Sequence, residues 1–392
     1  MSLLGIALFF AAWVGHSAIW LVSLNIVYSQ PLPRVILRGW RALVGGLVAL
    51  FPIVLWAIAG IDLPNFPPLE WTPSSAILGI YLGLCWFCSL VIIPIATLSR
   101  HLRMAPPQLV SIKSHIVDCV RDLHGAPAGD GKYCWMTRLP GNQVFQVEMS
   151  RLELCLPELP SEWDGLSILH LSDVHFCGTP NQQYFEHIFN QCMNEGMPDL
   201  LAVTGDFVDS DRHHRWILKL LSRLKWQEAA FAILGNHDWL YDDRKIRRRI
   251  SRCGIDVLGN RWNVAQVRGR PMLVVGHEGP WFAPPPDLSK APPDVFRLCL
   301  SHTPDNIRWA QRNRIHLMLS GHCHGGQIRL PLFGSLFVPS KFSRRFDQGL
   351  FFEPPTLLYV NRGLSGKEPL RYLCRPEVTR IVLRTTNMAN GG

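Results

Sequence analysis

Three short apolar stretches, each ending in polar residues, decide the fold of this 392-residue chain. They read SILHLSDVH at 167–175, LLAVTGD at 200–206 and AFAILGNHD at 230–238. Helical patterns separate them, at about 182–195 and 216–224. Strands that alternate with helices form parallel sheets, and polar residues at strand C-termini are where such sheets bind ligands. The sequence therefore predicts an α/β fold with a functional site at the strand ends.

The second half of the chain repeats this arrangement. Apolar stretches at 272–275, 296–300 and 317–319 read as further strands. The polar groups that follow them are Gly276-His277-Glu278, Ser301-His302 and Ser320-Gly321-His322-Cys323-His324. We expect these groups to lie at the same edge of the structure as those of the first half.

Three apolar runs precede this region, at about 3–27, 42–61 and 76–98. Each has the roughly 20 apolar residues that a membrane-spanning helix needs. A signal peptide is a poor alternative for the first run, because no Lys or Arg precedes it and its apolar core is too long. Buried globular helices are a second alternative, but three such runs without Lys, Arg, Asp or Glu argue against it. Residues 1–103 are thus predicted to be a membrane anchor of three transmembrane helices.

The basic residues of the short loops predict the orientation of these helices. They follow the first run and the third run: Arg34, Arg38, Arg41, Arg100, Arg103 and Lys113. The loop at 62–75 carries no Lys or Arg, only Asp62 and Glu70. Since basic loops face the cytoplasm, the N-terminus is expected outside and everything after residue 104 inside. The prediction is a multi-pass protein of the inner (cytoplasmic) membrane with its soluble part in the cytoplasm.

Composition narrows the classes of protein. With 18% charged and 48% hydrophobic residues the chain is not disordered. The net charge of +9 indicates anionic partners, but nothing beyond that charge supports nucleic-acid binding, so none is expected. The 11 cysteines are odd in number and scattered, unlike a secreted disulfide framework.

Five predicted strand ends carry carboxylate, amide or imidazole groups. They are Asp173 with His175, Asp206, Asn236 with His237, His302, and His322 with His324. A single His on a strand is more often packed or on the surface, whereas five such groups form a strong signal. This mixture of oxygen and nitrogen ligands suits Mn²⁺, Fe or Zn²⁺. There are enough ligands for two ions sharing a carboxylate, and two ions about 3.5–4 Å apart can clamp a phosphoryl group.

These groups resemble the motifs of the calcineurin-like metallophosphoesterases. The matching blocks are Asp173-Val174-His175, Gly205-Asp206-Phe207-Val208-Asp209, Gly235-Asn236-His237-Asp238, His302 and Gly321-His322-Cys323-His324. All five occur in the family's order, over about 167–328. The resemblance implies a layered β-sandwich flanked by helices at 161–385, preceded by a leading segment at 104–160.

The resemblance also implies roles for individual residues. The first metal would be held by Asp173, His175, Asp206 and His324, and the second by Asp206, Asn236, His302 and His322. The cofactors would be two divalent ions, with manganese preferred and iron or zinc as alternatives. His237 would lie near the leaving oxygen, with Asp209 as its carboxylate partner. A leaving oxygen needs a proton, and a His that titrates near neutrality suits that task.

Three positions depart from related patterns. Ser210 stands where protein Ser/Thr phosphatases carry Arg, which argues against that branch. Cys323 replaces a small hydroxyl residue and is expected to point away from the metals. His277 and Glu278 stand where relatives show an acidic pair, and we expect a loop role for them rather than metal binding.

More specific stretches resemble a bacterial membrane-associated phosphodiesterase subfamily, which includes enzymes that cleave UDP-2,3-diacylglucosamine in lipid A synthesis. They are Leu319 to Gln327, Pro339-Ser340-Lys341 with Arg344-Arg345, and Val360 to Leu364. The resemblance implies hydrolysis of a phosphodiester or pyrophosphate bond in a lipid-linked substrate. A phosphodiesterase acting on soluble nucleotides and a catalytically inactive membrane-anchored sensor are the alternatives, and the complete ligand set argues against the sensor.

The expected partners are the phosphoester substrate and the membrane bilayer, and two further stretches of the sequence could contact them. Basic residues cluster on a predicted helix: Arg244, Lys245, Arg247, Arg248, Arg249 and Arg252. They form either a solvated face or a contact for anionic headgroups or a nucleotide phosphate. The apolar stretch from Leu330 to Val338 is either core or a membrane-dipping loop, since Arg329 and Lys341 flank it. Oligomeric state leaves no signal in the sequence.

Overall fold

The computed structural model describes residues 3–59, 73–157 and 159–385. The chain divides into two compact units, Met1–Met104 and Ala105–Gly392. The first contains the apolar runs and the second contains all the predicted strand ends.

The first unit is helical, and by length and composition three of its segments are able to cross a membrane. They are Leu3–Tyr28, Arg34–Ile58 and Ala76–His101. The helices of this unit are α1 Leu3–Tyr28, α2 Arg34–Ala59, α3 Pro73–Phe87 and α4 Ile93–His101. A π-helical turn at Cys88–Ile92 joins α3 to α4, and together they contain the third segment. The three predicted apolar runs are therefore helices. The loop that holds Asp62 and Glu70 lies outside the described residues.

Polar and glycine contacts hold these helices together. His16 is the one ionisable side chain of the first run, and its ring nitrogens lie 2.7 Å from Tyr81 Oη and 3.1 Å from Leu47 O. Gly15 packs so closely on the backbone of Cys85 that a side chain would not fit. A polar group inside an apolar bundle needs such partners, and small residues allow helices to approach closely.

In the residues described, the second unit contains fifteen strands and five α-helices. The strands are β1 Leu109–Asp118, β2 Gln146–Cys155, β3 Ser167–Leu171, β4 Leu200–Val203, β5 Ala229–Ala232, β6 Asp256–Val257, β7 Trp262–Val267, β8 Arg270–His277, β9 Phe296–Ser301, β10 Leu317–Ser320, β11 Arg329–Leu330, β12 Gly334–Ser335, β13 Gly349–Glu353, β14 Thr356–Val360 and β15 Glu377–Arg384. The helices are α5 Cys119–Asp122, α6 Gln182–Asn194, α7 His214–Leu221, α8 Asp243–Ser251 and α9 Ile307–Arg312.

Two large mixed sheets form the centre of this unit. The first has the order β1-β2-β15-β3-β4-β5-β6, and the second has the order β13-β14-β10-β9-β8-β7. Strands β3 to β6 are parallel to one another, as are β8, β9, β10 and β14. Because parallel strands end at the same edge, the polar groups that follow them are brought together.

Three apolar clusters show that the layers are helix, sheet, sheet and helix. One cluster fills the space between the two sheets and includes Leu152, Leu298 and Leu357. A second packs α6, α7 and α8 on the outer face of the first sheet, and a third covers the outer face of the second sheet. The predicted α/β sandwich flanked by helices is confirmed.

The leading segment at 104–160 belongs to this sandwich. It supplies β1 and β2, and β2 pairs in parallel with β15, the last strand of the chain. The described part of 104–160 thus supplies two outer strands of the first sheet, and β15 holds β2 in place.

Candidate metal centre

The carboxyl ends of the central strands bring all seven predicted metal ligands together. Asp173 and His175 follow β3, Asp206 follows β4, and Asn236 follows the turn after β5. His302, His322 and His324 come from the ends of β9 and β10 in the second sheet. The site therefore lies where the two sheets meet at one edge.

The first group of ligands consists of Asp173, His175, Asp206 and His324. His175 Nε2 lies 3.2 Å from His324 Nε2 and 3.5 Å from Asp206 Oδ2. His324 Nε2 lies 3.3 Å from Asp173 Oδ1. Atoms that each bind one ion at about 2.1 Å are separated by roughly 3–3.5 Å. The four side chains thus surround a point of the right size for a metal.

The second group consists of Asp206, His302 and His322. His302 Nε2 lies 3.4 Å from Asp206 Oδ2 and 2.9 Å from the amide oxygen of Asn236. Asn236 therefore faces the same point as His302. Since Asp206 belongs to both groups, one carboxylate is placed to serve two ions.

Most of these ligands are held in an unfavourable backbone conformation. The left-handed φ values are 51° at Asp173, 43° at His175, 57° at Asp206, 67° at His322 and 49° at His324. Such conformations cost about 1–3 kcal/mol each for a non-glycine residue and gather at functional sites. The fold imposes them because each ligand sits in the sharp turn that directly follows a buried strand.

Close approach of the turns requires glycine at two positions. A side chain on Gly235 would meet the Asp206 carboxylate and the His302 ring. A side chain on Gly321 would meet Ser172 and the Asp173 carboxylate. These glycines explain why Gly precedes Asn236 and His322 in the sequence.

The carboxylates of the site are ionised although they are buried. Burial raises the pKa of Asp206, but the neighbouring His302 and His237 outweigh it and hold that pKa well below its usual value. Burial likewise raises the pKa of Asp173, and His324 and other imidazoles hold it low. Buried negative charge is costly unless positive charge lies beside it, so the site attracts cations.

The imidazoles differ in charge. Burial lowers the pKa of His302, but the Asp206 carboxylate outweighs it and raises that pKa to about 9. Burial lowers the pKa of both His322 and His324 to about 3. His322 also has a buried Nε2 with no hydrogen-bond partner among the described residues. Neutral imidazoles keep the lone pair that a metal ligand needs.

Asp209 contacts two histidines: His237, its predicted partner, and His175, a contact that the sequence did not indicate. One carboxylate oxygen binds His237 Nδ1, and the other lies 2.6 Å from His175 Nδ1. A carboxylate on the far nitrogen of a metal-ligating His fixes the orientation of the ring. Asp209 is therefore placed to position both a predicted ligand and the predicted proton donor.

Asp238 holds the turns of the site together. Its Oδ1 accepts from the amides of Phe207 and Val208, and its Oδ2 accepts from the amide of Gly235. Burial and the nearby Asp206 raise the pKa of Asp238 to about 7. Asp238 belongs to one of the motifs in the sequence, but no role for it was predicted.

Arg371 is a second residue that the sequence analysis missed. Its side chain is fully buried and donates to the carbonyls of His324, Arg362, Gly363 and Ser365. It also lies 3.2 Å from His324 Nδ1. Because Gly363 packs against Asp173, Arg371 ties the His324 turn to the loop behind Asp173. No sequence motif marks this function, since the acceptors are backbone groups.

The residues that depart from related patterns lie beside the metal clusters. Cys323 is buried among apolar side chains such as Met318 and Val338. Glu278 accepts two hydrogen bonds from Arg247 and one from the amide of Leu234. Within the described ranges, the metal-ligand groups contain neither His277 nor Glu278.

The apolar stretch from Leu330 to Val338 is divided between surface and core. It forms the hairpin β11–β12, whose tip exposes Leu332 at 72% and Phe333 at 45%. Val338 is fully buried. The end of this stretch is thus core, while its tip is exposed apolar surface, and membrane contact of the tip stays a prediction.

The basic cluster lies on α8. Arg247 is paired with Glu278 and Asp243, so it is structural. Arg244, Arg248 and Arg252 are exposed and spaced by one helical turn. Their exposure fits both a solvated face and a contact with phosphate groups.

The residues present fit two divalent ions. Two overlapping groups of oxygen and nitrogen ligands surround adjacent points, they share one carboxylate, and two of the imidazoles are neutral. This mixture suits manganese, iron or zinc rather than calcium or copper(I). The ligands that would hold the ions are those named for the two groups.

Comparisons with known proteins agree with this geometry. Residues 166–326 match the family model described as calcineurin-like phosphoesterase. The chain is 30% identical over 272 residues to an uncharacterized metallophosphoesterase, YkuE of Bacillus subtilis, covering 67% of this chain and 93% of that protein. It is 35% identical over 196 residues to the phosphodiesterase YaeI of Escherichia coli, covering 48% and 72%. It is 27% identical over 308 residues to the UDP-2,3-diacylglucosamine pyrophosphatase LpxG of Chlamydia trachomatis, covering 63% and 91%.

Proposed function

This chain belongs to the calcineurin-like phosphoesterase family, and from that premise we propose that it hydrolyses a phosphodiester or pyrophosphate bond in a lipid-linked substrate. It is a metal-dependent phosphoester hydrolase with membrane-spanning helices. The observation that carries the proposal is the carboxylate of Asp206, shared by two adjacent ligand groups. Two divalent ions held there would polarise the phosphoryl group and activate a water for attack.

His237 is proposed to give the proton that the leaving oxygen needs. Its side chain is 24% exposed, so substrate can reach it, while Asp209 holds its Nδ1. That arrangement leaves Nε2 to face the substrate. Burial lowers the pKa of His237, but the carboxylates of Asp209 and Asp206 outweigh it and raise that pKa. The raised pKa favours the protonated ring, which is the form that can act as an acid.

The proposal of a lipid-linked substrate rests on two supports. The chain has three helices able to cross a membrane, and relatives named as UDP-2,3-diacylglucosamine pyrophosphatases align over 91% of their length. UDP-2,3-diacylglucosamine is accordingly the first substrate to test. A phosphodiesterase acting on soluble nucleotides is the second candidate, because a relative at 35% identity is named simply a phosphodiesterase.

One experiment separates these candidates. The purified protein with added Mn²⁺ is offered UDP-2,3-diacylglucosamine, bis-p-nitrophenyl phosphate and p-nitrophenyl phosphate side by side. We expect cleavage of the first two and little of the monoester. Preference for the monoester would contradict the proposal, and cleavage of small diesters alone would favour the soluble-nucleotide candidate.

We further propose that the second unit faces the cytoplasm, in the inner membrane, where a nucleotide-linked substrate is available. The support is the basic residues that flank the first and third apolar runs. Reporter fusions after residue 104 should behave as cytoplasmic, and fusions within 62–75 as exported. The reverse pattern would exclude this orientation.

A further inference from the structure

The second unit has a cavity at the edge opposite the metal ligands. Its volume is about 800 Å³, and it opens between the two sheets where the strands β9, β10 and β14 begin. The lining comes from the chain before β1, the end of β2 and these strand starts. None of the predicted catalytic or metal-binding residues lines it, so it is separate from the phosphoesterase site.

Positive charge gathers at this cavity. The cations Arg297 and Arg314 line it, with Asp294 as the acidic lining residue. His316 also lines it, and its Nδ1 accepts from the Arg297 amide. Arg314 is exposed, and its guanidinium has no hydrogen bond or ion pair within the part of the chain that the structure describes. A guanidinium binds phosphate or carboxylate through two parallel hydrogen bonds, so Arg314 is suited to a phosphate group.

Two buried polar atoms of the lining lack partners. Arg297 uses its terminal nitrogens on the carbonyls of Asn313, Pro292 and Pro293, but its buried Nε has no acceptor among the described residues. Gln108 Oε1 is also buried there without a donor. A buried polar atom without a partner is costly, so a ligand that offers an acceptor to Arg297 and a donor to Gln108 would bind favourably.

An apolar surface begins beside the cavity. Gln108 leads directly into β1, where Ile112 is 57% exposed and Ile116 is 46% exposed. Ile112 pairs with Leu152, which packs between the sheets, so both isoleucines point to that inner face. They remain exposed because the second sheet does not cover β1. The cavity itself adds Leu156 and Phe352 to the apolar surface.

We propose that this cavity binds the phosphate headgroup of an anionic membrane phospholipid, with its acyl chains against the apolar surface of β1. The phosphate meets Arg314 and Arg297 Nε, and a headgroup hydroxyl meets Gln108. A lipid rather than a free phosphate is favoured because apolar side chains adjoin the basic ones. In addition, Gln108 shortly follows His101, where the last apolar helix ends.

Native mass spectrometry of the full-length protein in detergent tests this. Phosphatidylglycerol, phosphatidylcholine and soluble glycerol 1-phosphate are titrated separately. We expect phosphatidylglycerol to be retained more tightly than phosphatidylcholine, and glycerol 1-phosphate to bind at least tenfold more weakly. Arg314→Ser should weaken the phosphatidylglycerol affinity about fivefold, as expected for one basic residue at a lipid headgroup.

The matched control is Arg312→Ser, which removes an exposed arginine close by that does not line the cavity. It should leave phosphatidylglycerol binding unchanged, and neither variant should alter hydrolysis of bis-p-nitrophenyl phosphate. Ile112→Ser tests the apolar surface and should weaken lipid binding but not glycerol 1-phosphate binding. Equal losses in the Arg314 and Arg312 variants, or equal affinity for lipid and glycerol 1-phosphate, would overturn the proposal.

Discussion

The two edges of the β-sandwich differ although the same strands form both. At the carboxyl edge, where the central strands end, carboxylate and imidazole side chains surround two adjacent points. Most of these side chains are carried by residues in the left-handed backbone conformation. At the opposite, amino edge, where the strands β9, β10 and β14 begin, there is a cavity of about 800 Å³. The difference indicates that one edge is built to hold ions rigidly for chemistry, while the other is open to a larger, partly apolar ligand.

The largest effect is expected from the residue that the two ligand groups share. Asp206→Asn removes the negative charge between both proposed ions and should abolish turnover, while circular dichroism shows an intact fold. Asp211→Asn, a change at an exposed carboxylate nearby, is the matched control and should be fully active. Turnover by Asp206→Asn with two bound metals would show that the carboxyl edge does not work as described.

Loss of the proposed proton donor is expected to be less severe. His237→Gln should lower kcat by roughly 10²–10⁴-fold, the usual contribution of acid–base catalysis, with metal content unchanged. A substrate with a good leaving group needs no proton and should be affected less. If good and poor leaving groups lose activity equally, His237 positions the substrate instead of donating a proton.

Between the two edges lies His170 on β3, which should make stability depend on pH. Its Nε2 binds Thr204 Oγ1, and burial lowers its pKa to about 4 from 6.5. As the pH falls, His170 is protonated in the unfolded chain before it is protonated in the folded protein. The free energy of unfolding should therefore fall between pH 6.5 and pH 4, and this group should contribute about 3 kcal/mol of the fall.

The comparison of wild type with His170→Gln isolates that contribution. Unfolding of both proteins is measured in detergent from pH 7.5 to pH 4, and the variant should show a shallower fall. His115→Gln changes a largely exposed histidine and should keep the wild-type slope. Parallel curves for wild type and His170→Gln would contradict the assignment.

Arg371 should influence the carboxyl edge without touching substrate. Arg371→Lys cannot reach the four carbonyls and should lower the affinity for the first metal by about 10–100-fold, typical for loss of a group that orients a metal ligand. Isothermal titration with Mn²⁺ measures this directly. Arg375→Lys alters a nearby arginine bonded to Gln146 and serves as the control; a similar affinity in both variants would rule out a positioning role.

The smallest effect concerns the hairpin β11–β12 at the carboxyl edge. Replacing Leu332 and Phe333 with Ser removes only exposed side chains, so the fold should be unaffected. If these side chains enter the bilayer, KM for a lipid-linked substrate should rise roughly 3- to 10-fold, about 1 kcal/mol. Hydrolysis of a small soluble diester should stay the same, and equal changes for both substrates would show that the hairpin does not contact lipid.

Much of the carboxyl edge was predictable because its signals are local. Each ligand follows a short apolar strand by one to four residues, so the strand pattern and the ligand pattern occur together, as at Asp173 and Asp206. The transmembrane helices were predictable for the same reason, since hydrophobicity over about 20 residues is enough to identify them.

The rest depends on contacts between distant parts of the chain. Strands β1 and β2 join the first sheet through β15, which lies far along the sequence. Arg371 donates to backbone carbonyl groups. Every residue has such a group, so no residue type in the sequence identifies the partners of Arg371. The cavity at the amino edge combines residues of five separate segments around Gln108, Leu156, Arg297, His316 and Leu357. No periodicity or motif in the sequence predicts such a combination.

The left-handed turns of the carboxyl edge have a consequence for engineering. Glycine adopts that conformation at little cost, so changing one of these ligands to glycine would relieve strain. A screen for thermal stability alone does not select for keeping a ligand such as His322, so it can return folded variants that are inactive. Directed evolution of this protein therefore needs a selection for turnover in every round, because the ligands that activity requires also place strain on the backbone.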